Sequence, residues 1–220
     1  MNSQTPADSA PKEKTSGAAR EFKQWAIMLV VVVLVALLVR TLLFASFEVQ
    51  GQSMEPNFHT NERIIVNKLV YDFHQPQPGD VIVLKVPSKN RDFIKRVIAV
   101  GGDKVSVEGD TVTVNGTKLD EPYIAAPVAH AQQQGNSYNI NNFPTTEIPD
   151  GTVPDGYLFV MGDNRSNSED SRMIGYIPVS DVIGRADVIF WPAVDMQLVK
   201  SGEATRVVNA SSTEDSQAGN

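Results

Sequence analysis

Hydrophobic and polar positions divide the chain into unlike parts. From Trp25 to Val39 every residue is apolar, the run resumes over Leu42 to Ala45, and between Lys23 and Glu48 only Arg40 is charged. A helix rises about 1.5 Å per residue, so about 20 such residues cross a hydrocarbon core of about 30 Å. WAIMLVVVVLVALLV carries no polar stripe at helical period, as the helix of a soluble core would. Neither Leu43 with Ala45 nor Phe44 with Ser46 forms the small-residue pair of a cleavable signal peptide. The pattern predicts an uncleaved transmembrane helix over residues 25–45, with Arg40 reaching the headgroups from one end. Residues 1–24 have no apolar periodicity and predict a disordered leader. Lys12, Lys14, Arg20 and Lys23 put that leader on the cytoplasmic side and the rest of the protein outside.

Beyond the span the period shortens to that of strands. GDVIVLKVP (79–87), DFIKRVIAVGG (92–102), DKVSVEGDTVTVNGTKL (103–119) and GYLFVMGD (156–163) are runs of Val, Ile, Phe and Thr bounded by Gly, Pro or Asp. Val105 and Val107, then Val112 and Val114, alternate with polar residues around Glu108-Gly109-Asp110. That predicts a hairpin, and Asn115-Gly116 starts a further pairing. The fold class is therefore mainly β, an antiparallel sheet behind one N-terminal transmembrane helix. A β-core is expected in residues 46–103 and 156–200, with a smaller β subdomain at 104–155. Within that subdomain, 125–154 reads as a polar insertion in which no strand is predicted. Residues 201–220 read as a solvated tail.

Composition removes several kinds of chemistry. The 220 residues hold 19 Lys plus Arg against 26 Asp plus Glu, a net charge of −7, which argues against nucleic acid as a partner. With no cysteine there is no thiol nucleophile, disulfide or thiolate-held metal, and His59, His74 and His130 have no metal-ligand spacing. No metal and no cofactor is expected.

Three polar clusters interrupt the apolar strands. Gln50-Gly51-Gln52-Ser53-Met54-Glu55-Pro56 is a sharp turn that presents a hydroxyl and free N–H groups; by itself it also fits an ordinary turn serine. In Phe93-Ile94-Lys95-Arg96-Val97-Ile98, strand alternation puts Lys95 with Phe93, Val97 and Ala99 and puts Arg96 on the opposite face. If the Lys95 face is inward, burial disfavours its charged form and turns the amine into a base. Arg96 cannot deprotonate and belongs to an ion pair or the surface. An edge strand with two solvated cations is the alternative. The third cluster is GDNRSNSEDSR (162–172). Begun at Asp163, it has Ser168 and Ile174 where a calcium loop needs Gly and Glu, and Asp170 with Arg172 offers a charge-assisted pair.

In order, the anchor, GQSMEP, RIIVNKL (63–69), GDVIVLK, IKRVIAVGGD and GDNRSNSEDSR resemble bacterial type I signal peptidase in its short, Gram-positive-like form, over about residues 40–191. The resemblance implies a serine endopeptidase held in the bacterial cytoplasmic membrane, its catalytic domain outside, that removes signal peptides from exported preproteins after Ala-x-Ala. It makes Ser53 the nucleophile, Lys95 the general base and Ser168 the residue that orients the lysine, with Asp163, Asp170 and Arg172 supporting the loop. It implies the Ser53 backbone amide as one oxyanion donor. Gly51 stands where some relatives carry a serine hydroxyl, leaving the second donor to another backbone group or a water. Phe93 and Ser166 replace a tyrosine and an aspartate common in the family. Small apolar pockets lined by Val49, Met54 and Ile94 would admit Ala or Gly. Preproteins, membrane lipid and proximity to the secretion translocon are the implied partners. An anchored β-domain that only binds is the competing reading; it would leave Lys95 beside Phe and Val unexplained.

Overall fold

The structure, a computed structural model, describes residues 15–89, 91–201 and 205–206. The chain divides into two units, residues 1–42 and 43–220.

The first unit is the helix α1 (Thr15–Leu43), 29 residues long. It starts ten residues before the apolar run, so the expected disorder of 1–24 does not hold from Thr15 on. Ala18, Ala19, Arg20, Glu21, Lys23 and Gln24 are good helix formers and extend the helix that the apolar residues begin. Residues 1–14 lie outside the described residues, as do the side chains of 38–42, Arg40 among them. Arg20, Glu21 and Lys23 fall in the stretch whose side chains are described. Among the described residues no helix is long and apolar enough to cross a membrane.

The second unit carries β1 (Phe44–Glu48), β2 (Arg63–Asn67), α2 (Val70–Phe73), β3 (Val81–Val86), β4 (Arg91–Val100), β5 (Val105–Glu108), β6 (Thr111–Val114) and β7 (Thr117–Asp120). These are followed by α3 (Ala125–Gln133), β8 (Tyr157–Met161), α4 (Ser171–Ile174), β9 (Ile177–Pro178), β10 (Val182–Trp191), β11 (Gln197–Leu198) and β12 (Thr205–Arg206). The main sheet runs β1-β2-β10-β3-β4-β8-β9, with β11 on β10, and every pairing is antiparallel. The mainly antiparallel β architecture expected from the strand pattern is what folds.

Its central strand β3 is buried on both faces: Val81 and Val83 pack with Ile64, Val66, Ala186 and Ile189, while Ile82, Leu84 and Val86 pack with Val97, Leu158 and Val160. This explains a run of consecutive apolar residues in an antiparallel sheet. A second sheet, β12-β7-β6-β5, closes over its own valine cluster together with Phe143, Phe159 and Met161. Its hairpins have the expected register, Val105 opposite Val114 and Val107 opposite Val112. The turn to β7 sits on Asn115 (φ 55°) and Gly116 (φ 76°), the left-handed pair that a tight hairpin needs.

The polar insertion differs from its expected form. Residues 125–133 are the helix α3, which buries no residue, and single bridges from Thr152 to Lys104 and from Phe143 to Val107 fasten the rest to the small sheet. In the tail, Thr205 and Arg206 pair with β7, whereas 207–220 lie outside the described residues.

Candidate active site

Ser53 stands in a turn between β1 and β2. The two strands keep pairing past β1, with Val49 N–H on Glu62 O (2.8 Å) and Asn61 N–H on Val49 O (2.9 Å). The chain then leaves through Gly51 at φ +87°, a left-handed conformation that a side chain disfavours. Thr60 Oγ1 donates to Gly51 O at 2.9 Å, and Phe58 N–H and Asn57 N–H both reach Met54 O at 3.0 Å. Met54 and Phe58, 1% and 2% exposed, pin this turn to the core.

Lys95 enters from β4. The first half of that strand, Arg91 to Arg96, pairs with β3 on one side only; β8 joins from Arg96 onward. The Lys95 Nζ lies 2.8 Å from Ser53 Oγ and donates to Ile94 O at 3.0 Å. The Phe93 ring is 5.0 Å from Nζ. Lys95 is 3% exposed. Burial pushes its amine down from 10.5 to about 8, against the opposing pull of Asp170, Asp163 and Glu169.

The alternation of the sequence places the two cations on opposite faces, Arg96 in an ion pair or at the surface. Both are buried, since β4 is covered on both faces from Lys95 to Ala99. Arg96 makes a two-pronged ion pair with Asp163, Nε to Oδ1 at 2.9 Å and Nη2 to Oδ2 at 2.8 Å, and stacks 3.9 Å from the Tyr123 ring.

The loop 162–172 crosses beneath the turn. Asp163 takes a further bond from Asn57 Nδ2 (2.8 Å). Asp170 and Arg172, both 0% exposed in their side chains, form a second two-pronged pair. Asp170 Oδ2 also accepts the Gly162 N–H at 2.9 Å, and Arg172 reaches Arg165 O (3.0 Å) and Asn139 Oδ1. Arg165 in turn pairs with Glu121 from the small sheet's side. Burial by itself would raise the Asp170 carboxyl; the Arg172 bonds and the Gly162 N–H outweigh it and hold it below 3.8. Asp163, Asp170 and Arg172 thus form the framework of the loop.

Removing one member of such a pair leaves the other charged and buried. Asp170→Asn is therefore expected to destabilise the protein by about 3 to 5 kcal/mol in urea unfolding at neutral pH. With its folded value depressed, Asp170 supplies stability above the unfolded value and loses it as the pH falls through the folded one, so the deficit of the variant closes in acid. A change of less than about 1 kcal/mol would mean that the pair carries no net stability.

Ser168 is buried beside Gly162; its Oγ makes no close hydrogen bond, and its hydroxyl helps hold the Asp170 carboxyl low. The contacts of Lys95 are to Ser53 and Ile94.

A cleft of about 450 Å³ opens at Ser53 and Lys95. Val49 and Ile94 line it, together with Phe47, Ile64, Val83 and Phe93. Met54 does not line it; it packs underneath in the core. Glu48, Arg91, Asp92 and Glu169 make a charged rim, where Lys89 pairs with Glu169 at 2.7 Å. A serine hydroxyl 2.8 Å from a buried amine of lowered basicity, in a cleft partly lined by apolar side chains, can pass its proton to that amine.

Asn164 and Gly162 have close contacts with the Ser53 turn that the sequence does not mark. Asn164 N–H donates to Ser53 O at 3.0 Å and Asn164 Nδ2 to Gln52 O at 3.1 Å. These bonds join segments more than 100 residues apart, and no local spacing signals them.

The chain matches the family described as signal peptidase, peptidase S26, over residues 22–191. It is 35% identical over 187 residues to signal peptidase I S of Bacillus subtilis (strain 168), covering 84% of this chain and 98% of the relative. It is 37% identical over 190 residues to a signal peptidase I of Bacillus amyloliquefaciens, covering 86% and 98%. To signal peptidase IB of Staphylococcus aureus (strain MRSA252) it is 32% identical over 189 residues, covering 85% and 98%. A crystal structure of a signal peptidase I from Enterococcus faecalis V583 is 32% identical, with a TM-score of 0.47 and coverage of 51% of this chain and 97% of its own.

Proposed function

The chain belongs to the signal peptidase family, peptidase S26, whose members are serine endopeptidases, and from that membership we propose a membrane-anchored enzyme that removes signal peptides after Ala-x-Ala with a Ser53/Lys95 dyad. The observation that carries the dyad is the 2.8 Å approach of Ser53 Oγ to a lysine amine whose burial lowers it to about 8. At that value a useful fraction is neutral near physiological pH and can take the hydroxyl proton.

Ser53 Oγ attacks the carbonyl carbon of the scissile bond as its proton passes to Lys95 Nζ. The tetrahedral oxyanion collapses when the ammonium returns the proton to the leaving amine. The neutral amine then activates water to hydrolyse the acyl-enzyme. An ammonium has three hydrogens to place, and Ser53 Oγ and Ile94 O take two. The buried Ser168 hydroxyl, whose hydrogen can turn to Asp170, would accept the third with its oxygen and so orient the lysine.

The anchor rests on the uncharged run from Trp25 to Val39 within a 29-residue helix. At about 1.5 Å per residue the whole helix is about 43 Å long. Lys12, Lys14, Arg20 and Lys23 support a cytoplasmic N-terminus and an extracytoplasmic cleft. A preprotein whose own apolar helix is still in the bilayer would then reach the cleft at raised effective concentration. The shallow recesses at Val49 and Ile94 favour small side chains near the cut.

The test is to incubate the full chain in detergent with a preprotein bearing an Ala-x-Ala site, across pH values from about 5 to 10, and locate the cut by mass spectrometry. A single cut after the last Ala is expected. Only the neutral lysine is competent, so kcat/KM rises with pH, is half-maximal near 8 and levels off above it. No cleavage, or a profile with no rising limb near 8, would overturn the dyad.

A further inference from the structure

Acyl transfer at Ser53 builds negative charge on the carbonyl oxygen of the substrate, and that charge needs an N–H donor already in place. The Ser53 N–H donates to no described residue. Its direction is nevertheless fixed, because it belongs to the same planar unit as Gln52 C=O. In a trans peptide the two groups point opposite ways, so whatever holds the oxygen aims the hydrogen.

Gln52 O is held twice. Glu55 N–H closes the local turn at 3.2 Å, near the long end for such a bond, and Asn164 Nδ2 reaches it at 3.1 Å from the opposite loop. The next peptide is gripped by the same residue, since Asn164 N–H donates to Ser53 O at 3.0 Å. One asparagine thus fixes the peptide units on both sides of the Ser53 Cα, and with them the angle between the N–H and the Oγ. The preceding Gly51, at φ +87°, imposes little restraint of its own. Asn164 is itself oriented: Ser166 Oγ donates to its Oδ1 at 3.1 Å, which turns Nδ2 toward Gln52, and Asn167 N–H bonds its carbonyl at 3.0 Å.

We propose that Asn164 is the positioning residue of the oxyanion hole, holding the Gln52–Ser53 peptide so that the Ser53 N–H stays free and faces the developing oxyanion. The proposal rests on the reading of Ser53 as the nucleophile.

Two variants test it. Asn164→Asp is isosteric and keeps the backbone bond to Ser53 O, but sets a carboxylate against Gln52 O; Asn164→Ala removes the anchor without repulsion. A lost oxyanion donor costs about 10²- to 10³-fold in kcat, and a loosened one less. The alanine variant should lose about 10- to 100-fold in kcat, with KM changed less than about twofold, and the aspartate variant more. In the alanine variant the rising limb near 8 should not move, because the contacts of Lys95 are untouched and no charge is added; the new carboxylate of the aspartate variant shifts it upward, as Asp170, Asp163 and Glu169 already pull.

A peptide boronic acid, which forms a tetrahedral adduct on Ser53 Oγ, should weaken in proportion to kcat/KM, while the cleaved product peptide binds as before. Unchanged kcat in both folded variants would overturn the role of Asn164, as would equal losses for the boronate and the product peptide, or a shifted limb in the alanine variant. A Ser53→Ala protein that still cuts and still binds the boronate would instead remove the nucleophile reading, and this proposal with it.

Discussion

Lys95→Met is expected to lower kcat for preprotein cleavage by about 10⁴-fold or more and, in the same protein, to raise stability at neutral pH. A positioned general base is worth about 10² to 10⁴ by itself, and where nucleophile and base act as one unit the loss is larger. Here the amine is the group in contact with the Ser53 hydroxyl, so methionine leaves a serine with nothing to take its proton. The gain in stability follows from the sign of the shift. Burial lowers the folded-state amine from 10.5 to about 8, so the native protein gives up this proton before the unfolded chain does. Below pH 8 both states carry the charge and the folded one bears the full cost of burying it, about 3 kcal/mol at about 1.4 kcal/mol per pH unit. Between about 8 and 10.5 the unfolded state binds more protons, wild-type stability climbs with pH, and the cost disappears. Methionine fills nearly the same volume without a charge. Its advantage should therefore be at most about 3 kcal/mol at pH 7, reduced by the lost bond to Ile94 O, and should close by about pH 10.5. Urea unfolding of both proteins at the two pH values, beside turnover, checks both halves. A variant that cuts normally, or that is less stable than wild type at pH 7, would show that the buried amine is neither the base nor under strain from burial.

The same lysine shows what the sequence makes legible. Its place among Phe93, Val97 and Ala99 at strand period offers a desolvated amine if that face is inward, against two solvated cations on an edge strand; the pattern is readable because it rests on residues only two and four positions away. The hairpins of the small sheet were legible for the same reason: their register is set by valine alternation and by Asn115-Gly116. Arg96 was legible only as a cation seeking a partner. That the partner is Asp163, 67 residues on, and that both are buried, depends on β4 and β8 lying side by side. Met54 illustrates a further limit. Its neighbour Ser53 is the proposed nucleophile, and a pocket role was expected, but the turn points it into the core, and a tight turn has no period from which that can be read. The helix α3 buries nothing and so has no apolar stripe to announce it. Asn164 and Gly162 are recognisable as a site only once two loops have met.

Gly162→Ala is expected to cost about 10²- to 10³-fold in kcat, from the addition of one methyl group that touches neither the dyad hydroxyl nor the amine. The added Cβ would lie 2.4 Å from Ser53 O, 2.2 Å from Ser168 Oγ and 2.6 Å from Ser168 Cβ, all far inside contact distance. Gly162 cannot retreat, because its N–H is bonded to the buried Asp170 at 2.9 Å and its carbonyl to Arg165 Nε at 3.0 Å. The displacement must therefore fall on the nucleophile turn and on Ser168, and a misplacement of about 1 Å at a reacting group is worth about 10²-fold. Overpacking also costs about 1 to 3 kcal/mol of stability, so activity lost through unfolding has to be separated from activity lost through geometry. Gly151→Ala provides that control. Its Cβ would meet the backbone oxygen Val105 O at 2.4 Å, a single clash as short as that with Ser53 O, but against the small sheet. Both variants should show lowered thermal midpoints, while per folded molecule, titrated with an acylating reagent or by circular dichroism, only Gly162→Ala should turn over slowly. Equal kcat for the two at matched folded fraction would mean that the turn absorbs the methyl group, and that the close packing of Gly162 against Ser53 has no part in holding the nucleophile.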